Sequence, residues 1–564
     1  MSASSSKPWF RSWPTGVRQR IDIPTVTVHQ RFSEVVAEHP TQPFLTLLGM
    51  RYSYQDIADW AGRFASYLID LGVEKGDRVG LLMPNIPQFV GALFGTFQVG
   101  AVAVPINPLY GTEDLKFQIN DSGVRVIVIL DILYGTLEDV RDACPLLEHV
   151  VVASIGELLS PTKRFLAKMV GKLPKAPATR SQDKPFLKTL LSYDPFKGTV
   201  DLVPDDDLAL LQYTGGTTGR PKGAMISHMN LISNMYQARE WAINVPEPFD
   251  FMGAVPFFHL VGLTTVLLAT VQFEGTVHLV PNPRDFDMLL KTISDNRATL
   301  FHGVPTLFRA LVNHPKLDKY DLTSLKICFS GSAPLAAGLA KKFVQATKAD
   351  CLMVEAFGMT ELSPMASAFP MEPDKIRYES IGVPIVNTEM KIVDLDTGED
   401  LLPGEVGEIA VRGPQVMKGY WQQPEETAAV IRDGFMHTGD IGFMSEDGYF
   451  HLINRKKDII NASGFKVFPR EVEDHLLNHA SIEEVAVCAA PDEYRGETVK
   501  AIVVPKKGVD LTEEEVIQYC RGKIAKFKVP RKVEIRSELP KTSIGKVDRK
   551  ALRAIEFGEE PSHT

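Results

Sequence analysis

Between Ser53 and Val104 the apolar residues change their spacing twice, and no other stretch restricts the fold as much. Ile57, Trp60, Ala61, Phe64, Ala65 and Leu68 recur at helical spacing behind a capping box of Ser53 and Asp56. Lys75-Gly76-Asp77 makes a turn, Val79 to Met83 forms a short apolar run, Gln88 to Gln98 is helical, and Ala101 to Val104 is a second apolar run. A strand–helix–strand unit with solidly apolar strands predicts a parallel sheet buried on both faces. Similar alternation returns at Leu208 to Gln212, Thr276 to Val280, Thr299 to His302, Lys326 to Ser330 and Cys351 to Glu355, so the large part of the chain is expected to be α/β.

After residue 386 the texture changes to short alternating runs with glycine turns at Met390 to Val393, Gly407 to Arg412 and Tyr449 to Ile453, which predicts a small β-rich subdomain over residues 386–454. The last hundred residues mix short strands (Glu484 to Ala489, Lys500 to Val504) with helices (Pro469 to Asn478, Thr512 to Ile524), predicting a separate α+β domain. The charged run Arg455 to Asp458 is the expected boundary, with residues 1–454 before it and 459–564 after it.

With 564 residues the chain can bury several cores, and 61 basic against 70 acidic residues give a net charge of −9, which argues against a general nucleic-acid binder. Cys144, Cys328, Cys351, Cys488 and Cys520 are scattered without CxxC spacing, so neither a zinc site nor a disulfide framework is suggested and a reducing cytoplasm fits best. Met1 to Gly16 lacks an apolar run of signal-peptide length. Ala254 to Phe273 approaches membrane-span length but holds Pro256, His259 and Gly262, and is expected to be buried core.

Chemistry enters at Tyr213-Thr214-Gly215-Gly216-Thr217-Thr218-Gly219-Arg220-Pro221-Lys222-Gly223. Glycines bring backbone N–H groups close to an anion, threonine hydroxyls donate further hydrogen bonds, and Lys222 supplies a point charge, so the stretch is expected to cradle a nucleotide triphosphate. It is not a Walker A loop, because Lys222 is followed by Gly223. A Thr-Glu pair closes Glu355-Ala356-Phe357-Gly358-Met359-Thr360-Glu361 after a predicted strand, which suits phosphate and a divalent cation. His437-Thr438-Gly439-Asp440 reads as a turn presenting a carboxylate. Taken singly, such a Thr-Glu pair is usually solvated, such a turn structural, and lysines near a C-terminus a matter of solubility.

Together these motifs, in this order, resemble the adenylate-forming superfamily of acyl-CoA synthetases, luciferases and peptide-synthetase adenylation domains, and the resemblance covers nearly the whole chain. It implies ATP binding through Thr214, Gly215, Gly216, Thr217, Thr218, Gly219 and Lys222, with Gly331 and Ala333 of Gly331-Ser332-Ala333-Pro334 and with Glu355, Ala356, Phe357 and Gly358 around adenine. Phe357 would stack on the base, Thr360 would touch the α-phosphate, Glu361 with Thr214 would hold Mg2+, and Asp440 would accept the ribose hydroxyls. The family usually has glycine where Ala356 stands. Arg455 would approach ribose and phosphate, Lys457 would be the pivot of a hinge over 455–458, and Lys546, in Thr542-Ser543-Ile544-Gly545-Lys546, would bridge carboxylate and α-phosphate. Phe257, His259, Gly303 and Val304 would line the acyl pocket, with His259 near the carboxylate, while Ser463, Gly464 and Phe465 would meet coenzyme A.

The wording around Gln212 and from Asp433 to Phe465 is most similar to bacterial-type long-chain fatty-acid–CoA ligases. The expected substrates are therefore a fatty acid, ATP and coenzyme A, with no nucleic-acid partner. Transfer to a carrier protein, a luciferase-like oxygenase and an inactive nucleotide-binding relative are the alternatives, and the oligomeric state, a homodimer included, is open. Residues 158–173 set Leu158, Leu159, Phe165, Leu166, Met169, Val170 and Leu173 on one helical face beside Lys163, Arg164, Lys168 and Lys172. Such a segment either lies on the inner face of the cytoplasmic membrane or packs on its own protein.

Overall fold

The computed structural model describes residues 7–159, 162, 179–214, 221–331, 333–462, 465–492, 496–541 and 547–557. Two large sheets carry most of the chain. The first runs, edge to edge, Val383–Pro384, Met365–Ala368, Leu352–Gly358, Ile327–Ser330, Leu300–Gly303, Asp250–Gly253, Thr276–Leu279, Pro43–Leu47 and Met50–Ser53. Its centre, from Leu352–Gly358 to Pro43–Leu47, is parallel, and the edges are antiparallel. The second runs Gly419–Tyr420, Lys222–Ser227, Leu208–Thr214, Val102–Pro105, Arg78–Leu82, Val124–Leu130, His149–Ala153 and Lys184–Pro185. Its strands are parallel from Leu208–Thr214 onward.

Helix Tyr54–Asp70 starts on the expected cap: Ser53 Oγ accepts from Asp56 N, and the Asp56 carboxylate accepts from Ser53 N. Helix Pro87–Gln98 is buried almost all round, as its nearly continuous apolar sequence requires, and Phe94 stacks on Phe32 at 3.9 Å. From Leu260 to Gln272 the chain is helical, with Leu263–Leu268 π-helical, and Leu263, Val266, Leu267 and Leu268 lie in the core. The long apolar stretch is thus buried in protein, and among the described residues no helix is long and apolar enough to cross a membrane.

Beyond these sheets, Glu389–Val393, Gly407–Arg412, Phe435–Met444, Ile431–Arg432 and Phe450–Arg455 form a five-stranded antiparallel sheet. A short 3-10 turn, Lys456–Asp458, follows. A fourth sheet holds Phe465–Val467, Ile460–Ala462, Gly496–Pro505, Ile482–Asp492 and Lys532–Ile535, covered by helices Pro469–Leu477 and Arg549–Phe557. The five cysteines are buried and unbridged.

Two local readings need correction. His437 to Asp440 is not a turn but the middle of the ten-residue strand Phe435–Met444. Gly439 has φ +71° beside a register shift against Gly407–Arg412, so a bulge gave the tetrapeptide its turn-like composition. The helix expected to reach Ile524 ends at Cys520, because Arg521 is extended and Gly522 takes φ +74°.

Candidate active site

Thr214, Gly303, Gly331 and Glu361 lie at or just past the carboxyl ends of parallel strands, where loops of an open α/β sheet meet ligands. Thr214 and Lys222 are register partners where strands Leu208–Thr214 and Lys222–Ser227 pair. Gly215, Gly216, Thr217, Thr218 and Gly219 lie outside the described residues.

A strap over residues 417–421 fastens this strand pair to the end of the other sheet. Lys418 N donates to Met225 O and Trp421 N to Gly223 O, while Met417 N donates to Glu361 O at 2.9 Å. Tyr420, which sequence reasoning missed, joins the two chemical groups: its hydroxyl donates to Glu361 Oε1 at 2.8 Å, and Lys222 Nζ sits 5.1 Å from its ring centroid. Lys222 also pairs with Glu426 at 2.5 Å. Nothing periodic marks Tyr420 in the sequence; it is legible only through its pairing opposite Ala224.

Glu361 lies in the turn Thr360–Leu362 directly after strand Leu352–Gly358. At Gly358 a Cβ would stand 1.7 Å from Pro364 O, so only glycine lets the chain fold back and bring Thr360 and Glu361 to the sheet end. The Glu361 carboxylate is 5% exposed with one oxygen held by Tyr420, and Oε2 makes no hydrogen bond among the described residues. A carboxylate fixed through one oxygen, with Tyr420 between it and Lys222, could hold a divalent cation such as Mg2+.

Upstream on the same strand, Glu355 accepts from Leu335 N at 2.9 Å, and burial pushes its carboxyl up to about 8. It is therefore neutral near pH 7. Ala356 is half-buried and Phe357 buried. Strands Leu300–Gly303 and Ile327–Ser330 run side by side, and Gly331 N donates to Gly303 O at 3.2 Å, so the expected adenine and acyl segments adjoin. Ala333 follows in the same loop and Val304 caps helix Pro305–Val312.

On the acyl side, Phe257 points into the core, fully buried against Phe89. The loop that carries it is tied down by Asn85, which accepts from Phe257 N at 2.7 Å and donates to Gly253 O and Val255 O, and by Gln212, which donates to Phe258 O. His259 is half-buried and begins the helical segment. Nearby His302 stacks on Phe329 and meets Thr265 Oγ1 at 3.1 Å, and burial pushes it down to about 4, so it is neutral.

The third cluster lies where the antiparallel sheet leads into the C-terminal sheet. Asp440 pairs in register with Arg455, whose Nε is 2.6 Å from Asp440 Oδ1. Two residues on, burial and the neighbouring Arg455 charge push Lys457 down to about 8, while the carboxylates of Asp458, Asp440 and Glu361 act the other way. Lys456 pairs with Glu408 at 3.1 Å. Ser463, Gly464 and Lys546 lie outside the described residues, and Phe465 starts strand Phe465–Val467. The bridge Lys541–Val547 brackets the segment that carries Lys546.

Against known proteins, the profile of the AMP-binding enzyme family matches residues 32–421, and that of the AMP-binding enzyme C-terminal domain matches residues 471–546. The chain belongs to the AMP-binding enzyme family. A long-chain-fatty-acid–CoA ligase of Bacillus subtilis is 38% identical over 97% of this chain and 98% of its own length. One from Escherichia coli O157:H7 is 39% identical with the same coverage. Among solved structures, ATP-bound MatB from Rhodopseudomonas palustris superposes with a TM-score of 0.82 at 30% identity, over 94% of this chain and 99% of that one.

Proposed function

We propose that the chain is an ATP-dependent, AMP-forming long-chain fatty-acid–CoA ligase. A fatty carboxylate attacks the α-phosphorus of ATP, forming the acyl–phosphate bond as pyrophosphate leaves. The thiolate of coenzyme A then attacks the acyl carbon and expels AMP. The observation that carries this reading is the linkage of Lys222 to Glu361 through Tyr420 in a chain about 38% identical, over nearly its full length, to long-chain ligases.

No protein nucleophile is needed, so the residues act by position and charge. Thr214 and the glycine loop approach the phosphates, Lys222 balances their charge, and Thr360 faces the α-phosphate. Glu361, with Thr214, would hold Mg2+, which would neutralise charge on the leaving pyrophosphate. Asp440 accepts from the ribose and Arg455 lies beside it. Lys546 stabilises the equatorial oxygens of the pentacoordinate phosphorus, and Lys457 is the pivot that exchanges it for the coenzyme A contacts at Ser463, Gly464 and Phe465. His259, Gly303 and Val304 border the acyl chain, with Phe257 supporting them from the core.

The protein works in the cytoplasm, and residues 158–173 meet the inner face of the membrane. Supporting this is the sequence itself, an apolar stripe beside Lys163, Arg164, Lys168 and Lys172 in a chain of net charge −9; residues 160–161 and 163–178 lie outside the described residues. The deciding experiment is pyrophosphate release from purified protein with acids from acetate to oleate and benzoate, with and without coenzyme A. Highest turnover on long chains, with thioester formed only when coenzyme A is present, is expected; preference for benzoate or acetate would refute the long-chain assignment.

A further inference from the structure

The strap beside strand Lys222–Ser227 does more than hold it. Tyr420 is 7% and Glu361 5% exposed, and their 2.8 Å hydrogen bond joins two separate elements, an edge strand of one sheet and the turn ending a strand of the other. The hydroxyl is the donor of this bond and the carboxylate oxygen its acceptor, since an ionised carboxylate only accepts. The rest of the residue is fixed independently. Its backbone N donates to Thr427 Oγ1 at 2.8 Å, and it pairs in register with Ala224.

We propose that Tyr420 is a positioning residue for the cation site, orienting Glu361 through its hydroxyl so that the free carboxylate oxygen faces the metal–triphosphate, while its ring seats Lys222. This rests on the reading of Glu361 as the Mg2+ ligand. A carboxylate side chain free to turn would spend part of its time in rotamers that miss the ion; a donor on one oxygen removes those rotamers without occupying the other. Partners of this kind behind a metal ligand typically change metal affinity by about 10- to 100-fold.

The test is a Mn2+ titration followed by electron paramagnetic resonance, on the full chain with a non-hydrolysable ATP analogue. Tyr420→Phe keeps the ring over Lys222 and removes only the donor. It should weaken Mn2+ binding about tenfold while leaving metal-free analogue binding within about twofold. Glu361→Gln separates the two levels of the argument: unchanged Mn2+ affinity in that variant would sink the ligand assignment itself. Loss there with none in Tyr420→Phe would overturn the positioning role alone. In a Glu361→Gln background Tyr420→Phe should add less than about twofold, and a multiplicative loss would also overturn the inference. Thr427→Val loosens the strap without touching Glu361; if it weakens Mn2+ binding as much as Tyr420→Phe does, the effect is loss of packing and the hydroxyl has no special part.

Discussion

Asp440 and Arg455 face each other across one antiparallel register, Arg455 Nε 2.6 Å from Asp440 Oδ1, with Arg455 ending the last strand before the chain leaves for its C-terminal sheet. The Asp440 side chain is 1% exposed and that of Arg455 41%, so the pair is a buried carboxylate held by a cation at the rim. Each hydrogen bond to such a charged acceptor contributes about 1.5–3 kcal/mol. Asp440→Asn should therefore raise the KM for ATP by roughly 10- to 100-fold. The parent should discriminate against 2′-deoxy-ATP, and the variant should lose most of that discrimination; equal discrimination by both, measured as kcat/KM ratios, would remove Asp440 from the ribose site.

Lys546 should matter for one half-reaction only. Loss of a preorganised charge at the phosphorus costs on the order of a thousandfold, so Lys546→Ala should cut adenylate formation by about that factor. Chemically supplied acyl-adenylate should still be converted to thioester at near the parent rate. Rapid-quench assays of each half-reaction measure this, and an equal fall in both would refute the assignment.

Lys457 sits in the 3-10 turn Lys456–Asp458, where φ is typically about −50 to −70°. Proline fixes φ near −65°, so Lys457→Pro should preserve this turn and bar the dihedral change that rotation of the C-terminal domain requires. Pyrophosphate exchange should survive while overall thioester turnover drops by about tenfold or more. Unimpaired turnover would place the pivot elsewhere.

The chain's architecture was legible because its signals are local. Helix Tyr54–Asp70 begins on the very Ser53–Asp56 cap that the sequence displays, and the apolar runs became parallel strands with ends shifted by a few residues at most. The segment His437 to Asp440 was misread as a turn, since a glycine bulge inside a strand and a free turn use the same residues. Tyr420 and Asn85 escaped because their roles are contacts between distant segments: Tyr420 meets a residue 59 positions away, and Asn85 one 172 positions away. Phe257 was read beside the acyl chain on resemblance, and its own sequence neighbours could not reveal that Phe89 covers it.

Glu355 gives the fold a pH dependence of predictable sign. Its carboxyl is raised from 4.5 to about 8, so above pH 4.5 the unfolded chain releases a proton that the folded one keeps. That contribution is fully present below pH 4.5 and is lost as pH rises to about 8, an effect on the order of a few kcal/mol. Glu355→Gln keeps an acceptor for Leu335 N and cannot ionise. Its melting temperature relative to the parent should rise steadily from pH 5 to pH 8.5, and a constant difference across that range would show that Glu355 titrates normally.

The basic residues of the 158–173 segment stand out in sign from a chain of net charge −9. Each basic side chain near an anionic surface contributes about 1 kcal/mol, so exchanging Lys163, Arg164, Lys168 and Lys172 for glutamine should weaken binding to anionic vesicles by several kcal/mol. Turnover of a water-soluble short-chain acid should change less than about twofold, because the contacts of Ser154 with Gln88 and of Asp183 with Arg141 are untouched. Co-sedimentation with anionic and neutral vesicles at low and high salt is the measurement. Binding by the parent that falls with salt and with the substitutions supports membrane contact through charge. Salt-insensitive binding, or none, would mean that the segment's apolar face packs on the protein itself.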